Sequence, residues 1–315
     1  MRLGKLTSSE LERLVLSKIG VSRPEAVLSA AVGEDCAAIR ADGFILLSSD
    51  PITVKMPPET LGGLCVYVAC NDIACNGGEP IALLLTLIIP AAAEDPEGVI
   101  DKIMTAAAAA AKRVRVDIVG GHTEFSDAVT RPLVCATAVG KTARLLKKTG
   151  LAEGDGLFIT KRAGIEGAML LEGGIILDES LSVIPECAVL RQIQSVTAMH
   201  DVTEGGVLGA AAELCEGANR GAVIYQSAVP VPPRTANLCR KNGIDPLRLI
   251  SSGALLFTAS DDAPVSALGA AGIPCARIGE ITADGGVILV RTDGGREQIF
   301  TEADGLFKAK GGVAL

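Results

Sequence analysis

The stretch 61–90, LGGLCVYVACNDIACNGGEPIALLLTLIIP, decides how the first half of this chain folds. Residues 61–75 predict a buried helix, because small and apolar residues fill nearly every position. Residues 81–89 form a β-rich apolar run that Pro90 ends, which predicts a central strand. A strand that is apolar on both sides needs cover on both of its faces. The stretch therefore indicates a buried helix followed by a strand inside a sheet.

Helices and strands predicted along the rest of the chain give an α+β order. The predicted strands are 44–49, 117–119, 133–139, 157–160, 223–226, 254–258, 276–281 and 287–290. The predicted helices are 7–19, 97–115, 164–172, 181–194, 205–217, 235–242 and 263–271. The polar stretch 140–156 separates two similar halves, so we place a domain boundary within it, with domains at 1–148 and 149–315.

The composition and charge argue against several classes of protein function. The chain has 315 residues, a formal net charge of −8, 49% hydrophobic residues and 3% aromatic residues. The apolar content favours a protein with a folded core, whereas the net negative charge and the few aromatic rings disfavour nucleic-acid binding. The longest uncharged stretches are shorter than the ~18 residues of a membrane span, and the charged, amphipathic N-terminal segment does not have the apolar region of a signal peptide. We therefore expect a cytoplasmic protein that is not membrane-bound.

The nine cysteines are irregularly spaced and form no CxxC motif. They predict small buried side chains in a reducing compartment rather than disulfides. A metal site built from Cys70, Cys75, His122 and His200 is a weaker alternative, because the paired spacing of zinc ligands is missing. The chain also contains no Walker A, GxGxxG or GxSxG motif, so the common phosphate loops and the serine-hydrolase elbow are not predicted.

Four polar clusters interrupt the apolar pattern of the first half: GEDCAA (33–38), SSDPIT (48–53), the pair Asn71-Asp72 within the predicted helix, and GGHTE (120–124). We expect each to place a carboxylate where the chain changes direction. A lone carboxylate in so apolar a helix is costly to bury. Three aspartates that converge would instead form a magnesium site. Taken singly, each cluster is more simply interpreted as a helix cap or a turn.

The second half has a cluster of its own, HDVTEGG (200–206), which precedes a predicted helix. Paired glycines at a helix N-terminus let backbone N–H groups approach an anion, and an ordinary N-cap by Asp201 or Thr203 is the alternative. The sequence SSG (251–253) is expected to be a plain turn. Four basic residues in the junction are compatible with a phosphate patch or a solvated linker: Lys141, Arg144, Lys147 and Lys148.

Taken in order, these clusters resemble the aminoimidazole ribonucleotide (AIR) synthetase superfamily. The matching residues are GEDCAA (33–38), SSDPIT (48–53), NDIACNGGEP (71–80), GGHTE (120–124), HDVTEGG (200–206), SSGALL (251–256) and ARIGEIT (276–282). The resemblance covers nearly the whole chain and is nearest to the HypE-like branch, which acts in hydrogenase maturation. It implies two α+β domains, with the N-terminal strands of two subunits pairing into a barrel in a homodimer. It also implies ATP and Mg²⁺, used to phosphorylate an oxygen of a small molecule or of a carbamoyl or amide group.

The resemblance also implies site residues. Asp35, Asp50 and Asp72 correspond to the magnesium and phosphate ligands, and Asn71 would orient the same region. The remaining positions of the implied nucleotide site are Gly120, Gly121, His122, Thr123, Asp201, Thr203, Gly205 and Gly206. Relatives often have Asp where this chain has His122, so we expect a weaker metal contact there, with Glu124 as the substitute ligand.

The acceptor of the phosphoryl group is left open between a small molecule and a group carried by a protein. HypE proteins carry a carbamoyl group on a C-terminal cysteine, whereas the last cysteine of this sequence is Cys275. We therefore expect an ATP- and Mg²⁺-dependent enzyme more than a carbamoyl dehydratase. The third alternative is a nucleotide-binding maturation or scaffold protein without enzymatic activity.

Overall fold

The computed structural model describes residues 8–9, 26–28, 31, 33–34, 37–174, 178–283, 285–302 and 304–308. Apart from Ser8 and Ser9, the predicted helix 7–19 lies outside these residues, and so does the predicted ligand Asp35. None of the helices that the structure describes combines the length and the apolar composition needed to cross a bilayer.

The first half forms a six-stranded sheet with the strand order β1-β2-β3-β6-β4-β5. Neighbouring strands are antiparallel except β4 and β5, which are parallel. The strands are β1 (Ala26–Leu28), β2 (Ala37–Ala41), β3 (Gly43–Ile52), β4 (Glu79–Pro90), β5 (Asp117–Ser126) and β6 (Leu133–Thr142). Two long helices, α1 (Pro58–Cys75) and α2 (Pro96–Val114), contribute to the same apolar core as the sheet.

The second half forms a seven-stranded sheet with the order β13-β12-β9-β11-β7-β10-β8, in which only β9 and β12 are parallel neighbours. Its strands are β7 (Gly156–Thr160), β8 (Val196–Asp201), β9 (Gly221–Tyr225), β10 (Leu255–Ala259), β11 (Cys275–Thr282), β12 (Gly286–Val290) and β13 (Arg296–Ile299). Its helices are α3 (Ile165–Leu171), α4 (Ile184–Leu190), α5 (Gly206–Ala218), α6 (Pro233–Asn242) and α7 (Ala263–Ala270).

Helix α1 is buried along most of its length, as its sequence predicts. Tyr67 and Ile73 are fully buried in the core of the first half. Gly62 lies against the backbone of α2, where a side chain would overlap the carbonyl of Ile103. Because glycine has no Cβ, the two helices can approach each other closely here. The glycine-rich start of the helix thus serves packing.

The predicted α+β class and the two-domain α+β fold are confirmed. Within the described residues of one chain the first sheet is open, with β1 and β5 at its edges, so a closed barrel would need a second copy. The boundary expected between residues 148 and 149 falls in the segment between β6 and β7 and stays a prediction.

Several predicted elements differ in extent. The predicted strand 44–49 continues as β3 to Ile52, and the predicted strand 117–119 continues as β5 to Ser126. The predicted helix 181–194 is reduced to α4. Strand β8 was not predicted, because polar residues interrupt its apolar pattern. One of these polar residues, Thr197, is satisfied inside the sheet: its hydroxyl lies 2.7 Å from the Thr258 hydroxyl.

The junction between the halves is a packed interface. Arg144 donates hydrogen bonds to four backbone carbonyls in the segment 191–196 of the second half, at 2.7–3.2 Å. Lys148 is almost fully buried, and its Nζ donates to the carbonyl of Met199 at 2.6 Å. For these two cations the solvated-linker interpretation is wrong, because their charges are used to bind backbone oxygens between the two halves.

Candidate functional site

Two of the three predicted aspartate ligands lie between β3 and α1. Ser48, Asp50 and the buried Ile52 alternate along one face of β3. Ser48 Oγ donates a hydrogen bond to Asp72 Oδ2 of α1 at 2.5 Å, which places that face toward the helix. Both aspartates are half-buried. The expectation that each carboxylate lies where the chain turns is wrong, since Asp50 is inside a strand and Asp72 inside a helix.

The donor set suits a hard divalent cation. Carboxylate oxygens are the ligands that Mg²⁺ prefers, and Asp50 and Asp72 supply two half-buried carboxylates here. Among the residues that the structure describes, no group of three or more His, Cys, Asp or Glu side chains is arranged to hold a metal ion. The third predicted ligand, Asp35, lies outside that set, so the complete magnesium site stays a prediction that these two aspartates fit.

Asn71 is fully buried beside Asp72 and bonds to the second half of the chain. Its Nδ2 donates to the carbonyl of Leu181 at 3.0 Å, and its Oδ1 accepts from the N–H of Val183 at 2.9 Å. The amide of Asn71 therefore contacts a loop of the second half. The predicted role of orienting the aspartate region remains compatible with this position.

The GGHTE residues lie within β5, not in a turn after it, and all five are exposed. His122 Nε2 lies 3.2 Å from Glu124 Oε2. Gly121 has no room for a side chain, which would overlap the carbonyl of Leu85. Because β6 and β4 separate β5 from β3, three strand spacings of about 4.8 Å lie between this cluster and Asp50. One chain therefore does not bring Gly120, Gly121, His122 and Thr123 together with the aspartates.

The HDVTEGG cluster spans the end of β8 and the start of α5. Asp201 is almost fully buried, and Gly205 and Gly206 both have left-handed backbones, with φ of +85° and +63°. The N–H of Gly205 donates to Asp304 Oδ2 at 2.8 Å. A carboxylate of this chain therefore binds the N–H group that was expected to contact a phosphate. A side chain at Gly206 would overlap the backbone at Leu247 and Leu249, so this glycine is also needed for packing.

The surroundings of Gly205 are acidic. Burial raises the pKa of Asp304 to about 7, hydrogen bonds from Leu306 and Gly205 lower it, and the neighbouring Glu204 and Glu166 raise it. Burial also raises the pKa of Glu166, which accepts a hydrogen bond from the N–H of Ser252 at 3.0 Å. An anion would enter this region against negative charge unless a cation accompanied it.

The cysteines fit the prediction of small buried side chains. None of the eight that the structure describes forms a disulfide, and six of them are buried. Burial raises the pKa of the Cys65 and Cys215 thiols to about 12, so both stay protonated at neutral pH. His122 and His200 belong to different sheets, which separates the members of the alternative metal site.

Sequence reasoning missed the residues that support the predicted ones. Ser48 belongs to a quoted motif, and a hydroxyl two residues from an aspartate on a strand shares its face, which is a usable signal. Lys161 and Glu186 carry no local signal, because their partners are distant in sequence. Asp304 binds the nearby Leu306, but its contact with Gly205 spans 99 residues.

Comparison with known proteins identifies the family to which this chain belongs. Residues 33–142 match the N-terminal domain model of AIR synthase related proteins, and residues 152–291 match the C-terminal domain model. The chain belongs to the AIR synthase related family. Within the family it falls in the HypE-like branch, as the similar proteins indicate.

Three similar proteins illustrate this placement. A putative hydrogenase expression/formation protein of Methanocaldococcus jannaschii is 26% identical over 268 residues, covering 81% of this chain and 79% of the relative. The carbamoyl dehydratase HypE of Escherichia coli is 26% identical over 271 residues, with coverage of 81% and 79%. A crystal structure of the hydrogenase maturation protein HypE in complex with ATP superposes with a TM-score of 0.75 at 21% identity, covering 96% of each chain, and this likeness concerns the fold.

Proposed function

We propose that this chain is an ATP- and Mg²⁺-dependent enzyme that activates a small-molecule, carbamoyl or amide oxygen by phosphoryl transfer. The observation that carries the proposal is the placement of Asp50 and Asp72 between β3 and α1, with Ser48 bonded to Asp72 at 2.5 Å. Carboxylates in an otherwise apolar layer are costly unless a cation balances them. The HypE-like relatives support the choice, since one is named a carbamoyl dehydratase and another was crystallised with ATP.

The aspartates have defined tasks in this proposal. Asp50, Asp72 and the predicted ligand Asp35 would hold Mg²⁺, which when bound neutralises phosphate charge. Ser48 holds the Asp72 carboxylate in one orientation, and the buried side chains of α1 and β3 limit the access of water. Rate enhancement then comes from positioning and charge stabilisation rather than from a covalent nucleophile.

The alternative is a nucleotide-binding scaffold without enzymatic activity. The bond from the Gly205 N–H to Asp304 favours it, because a carboxylate takes the position expected for phosphate in the second half. Steady ATP hydrolysis by the isolated protein would exclude this alternative.

The test of the proposed function is calorimetric titration of the chain with ATP in the presence of Mg²⁺. We expect a dissociation constant between about 1 μM and 1 mM, the usual range of enzyme substrates, and loss of binding when EDTA removes the cation. Hydrolysis is then followed with carbamoyl, amide and phosphate-ester acceptors, and the right acceptor should raise the rate. The absence of binding heat with Mg²⁺ would contradict the proposal.

We also propose a homodimer formed through β4 and β5. These strands carry four exposed large apolar side chains, of which Leu84 is 42% and Val119 is 62% exposed, and β5 is an open sheet edge. Such an edge is a template for pairing with another chain.

Light scattering at micromolar concentration should give twice the 32.2 kDa of one chain. Leu84→Glu should yield a monomer, whereas Phe300→Glu, at an exposed apolar position outside this surface, should stay dimeric. A wild-type monomer would contradict the proposal.

A further inference from the structure

The loop 178–183 is held by both halves of the chain. From the first half, Asn71 of α1 donates to the carbonyl of Leu181 at 3.0 Å and accepts from the N–H of Val183 at 2.9 Å. Leu181, Val183 and Asn71 are all fully buried. The Asn71 side chain thus makes the two hydrogen bonds that a strand neighbour would make, and ties α1 to this loop.

From the second half, Lys161 binds the same loop at the end of β7. Its Nζ donates to the carbonyls of Ser180 and Ser182 at 3.2 and 2.7 Å, and to that of Gly253 at 3.0 Å. Glu186 Oε1 of α4 lies 2.7 Å from the same nitrogen. An ammonium group has three protons, so this lysine is fully used by the loop and its surroundings and has no donor left for a phosphate.

The SSG motif (251–253) connects the loop 178–183 to the segment that follows Asp201. Gly253 has φ of +95°, and a side chain there would overlap the carbonyl of Ser180. The next residue, Ala254, accepts a hydrogen bond from the N–H of Val202 at 3.0 Å. Contacts therefore run without a gap from Asn71 through the loop 178–183 and Gly253 to the segment that follows Asp201. The motif does more than form a plain turn.

We infer that Asn71 is a positioning residue that holds α1, and with it Asp72, at a fixed distance from the Asp201 segment of the second half. This inference rests on the proposed function. Both polar atoms of the Asn71 amide are engaged and the residue is fully buried, so it holds the loop instead of contacting a nucleotide. Asp72 follows it on a rigid helix, and a displacement of about 1 Å between reacting parts costs on the order of 100-fold in rate.

The test separates binding from turnover in Asn71→Leu, which keeps the branched shape of the side chain and removes both hydrogen bonds. The dissociation constant for ATP with Mg²⁺ should stay within about threefold, because the aspartates remain, while kcat for ATP hydrolysis should fall by about tenfold or more. The matched control is Asn76→Leu. Asn76 is equally buried at the end of α1, but its Nδ2 donates to Leu146 of the junction at 2.8 Å. This variant should lose stability and keep its kcat.

A second readout does not depend on activity. Hydrogen exchange of the Val183 amide, measured without nucleotide, should accelerate at least about tenfold in Asn71→Leu and stay unchanged in Asn76→Leu. If Asn71→Leu does not fold, Asn71→Ala serves in its place, because it also removes both hydrogen bonds and adds neither bulk nor charge.

The outcomes distinguish the inference from the proposed function. An unchanged kcat in Asn71→Leu, or loss of ATP binding in it, overturns the positioning role. An unchanged exchange rate at Val183 overturns the loop contact itself. A wild-type chain that neither binds nor hydrolyses ATP overturns the proposed function and with it the catalytic part of the inference, whereas the exchange of Val183 still decides whether Asn71 holds the loop.

Discussion

Asp72→Asn is expected to weaken Mg²⁺-dependent binding of ATP by at least about 100-fold. The substitution keeps the shape of the side chain and removes the negative charge that a hard cation requires. The Ser48 hydroxyl, which donates to Asp72 Oδ2 at 2.5 Å, still has an oxygen or an amide beside it, so the local packing is retained. Calorimetric titration with ATP at fixed Mg²⁺ measures the change directly.

Two further variants test whether the loss of affinity is specific to the carboxylate of Asp72. Ser48→Ala removes the hydrogen bond that orients the carboxylate and should weaken binding by about tenfold, the smaller effect of a supporting residue. Asp101→Asn removes the same unit of charge from an exposed position on α2 and should bind like the wild type. Far-UV circular dichroism confirms that all three remain folded. Equal affinity of Asp72→Asn and Asp101→Asn would show that Asp72 is not a ligand.

The fold of the first half was predictable where its information is local. The apolar runs at 61–75 and 81–89 correspond to α1 and β4, whose ends lie only a few residues away, because an uninterrupted apolar run is a local feature of the sequence. The fold class followed from the alternation of such runs. The predicted aspartates Asp50 and Asp72 were recognised by the same contrast, as single charges in apolar surroundings.

Strand ends and supporting contacts were less predictable. The predicted strand 44–49 stops before Pro51, yet β3 continues through that proline because, among the described residues, β3 pairs beyond Leu47 with β6 alone. A missing N–H costs little on the unpaired side of a strand. The partners of Asn71 lie 110 and 112 residues away. No local sequence pattern encodes a contact over that separation. The contact of Asn71 with the loop 178–183 is therefore visible only in the three-dimensional structure.

Lys161→Met is expected to lower the free energy of unfolding by about 3–5 kcal/mol. Glu186 is fully buried, and its carboxylate lies 2.7 Å from Lys161 Nζ. Neither carboxylate oxygen accepts a hydrogen bond that meets the usual geometry from any residue that the structure describes, so this ion pair is what compensates the buried charge. Methionine fills the space of the lysine stem but leaves that charge, and three backbone carbonyls, without their donor.

The double variant Lys161→Met/Glu186→Gln separates the cost of the uncompensated Glu186 charge from the loss of the carbonyl contacts. Removing both charges should restore at least half of the lost stability, because the uncompensated carboxylate is the larger cost. The chain contains no tryptophan, so urea unfolding is followed by far-UV circular dichroism. Equal stability of the single and double variants at pH 8 would mean that the carbonyl contacts of Lys161, and not its pairing with Glu186, hold the loop 178–183 in place.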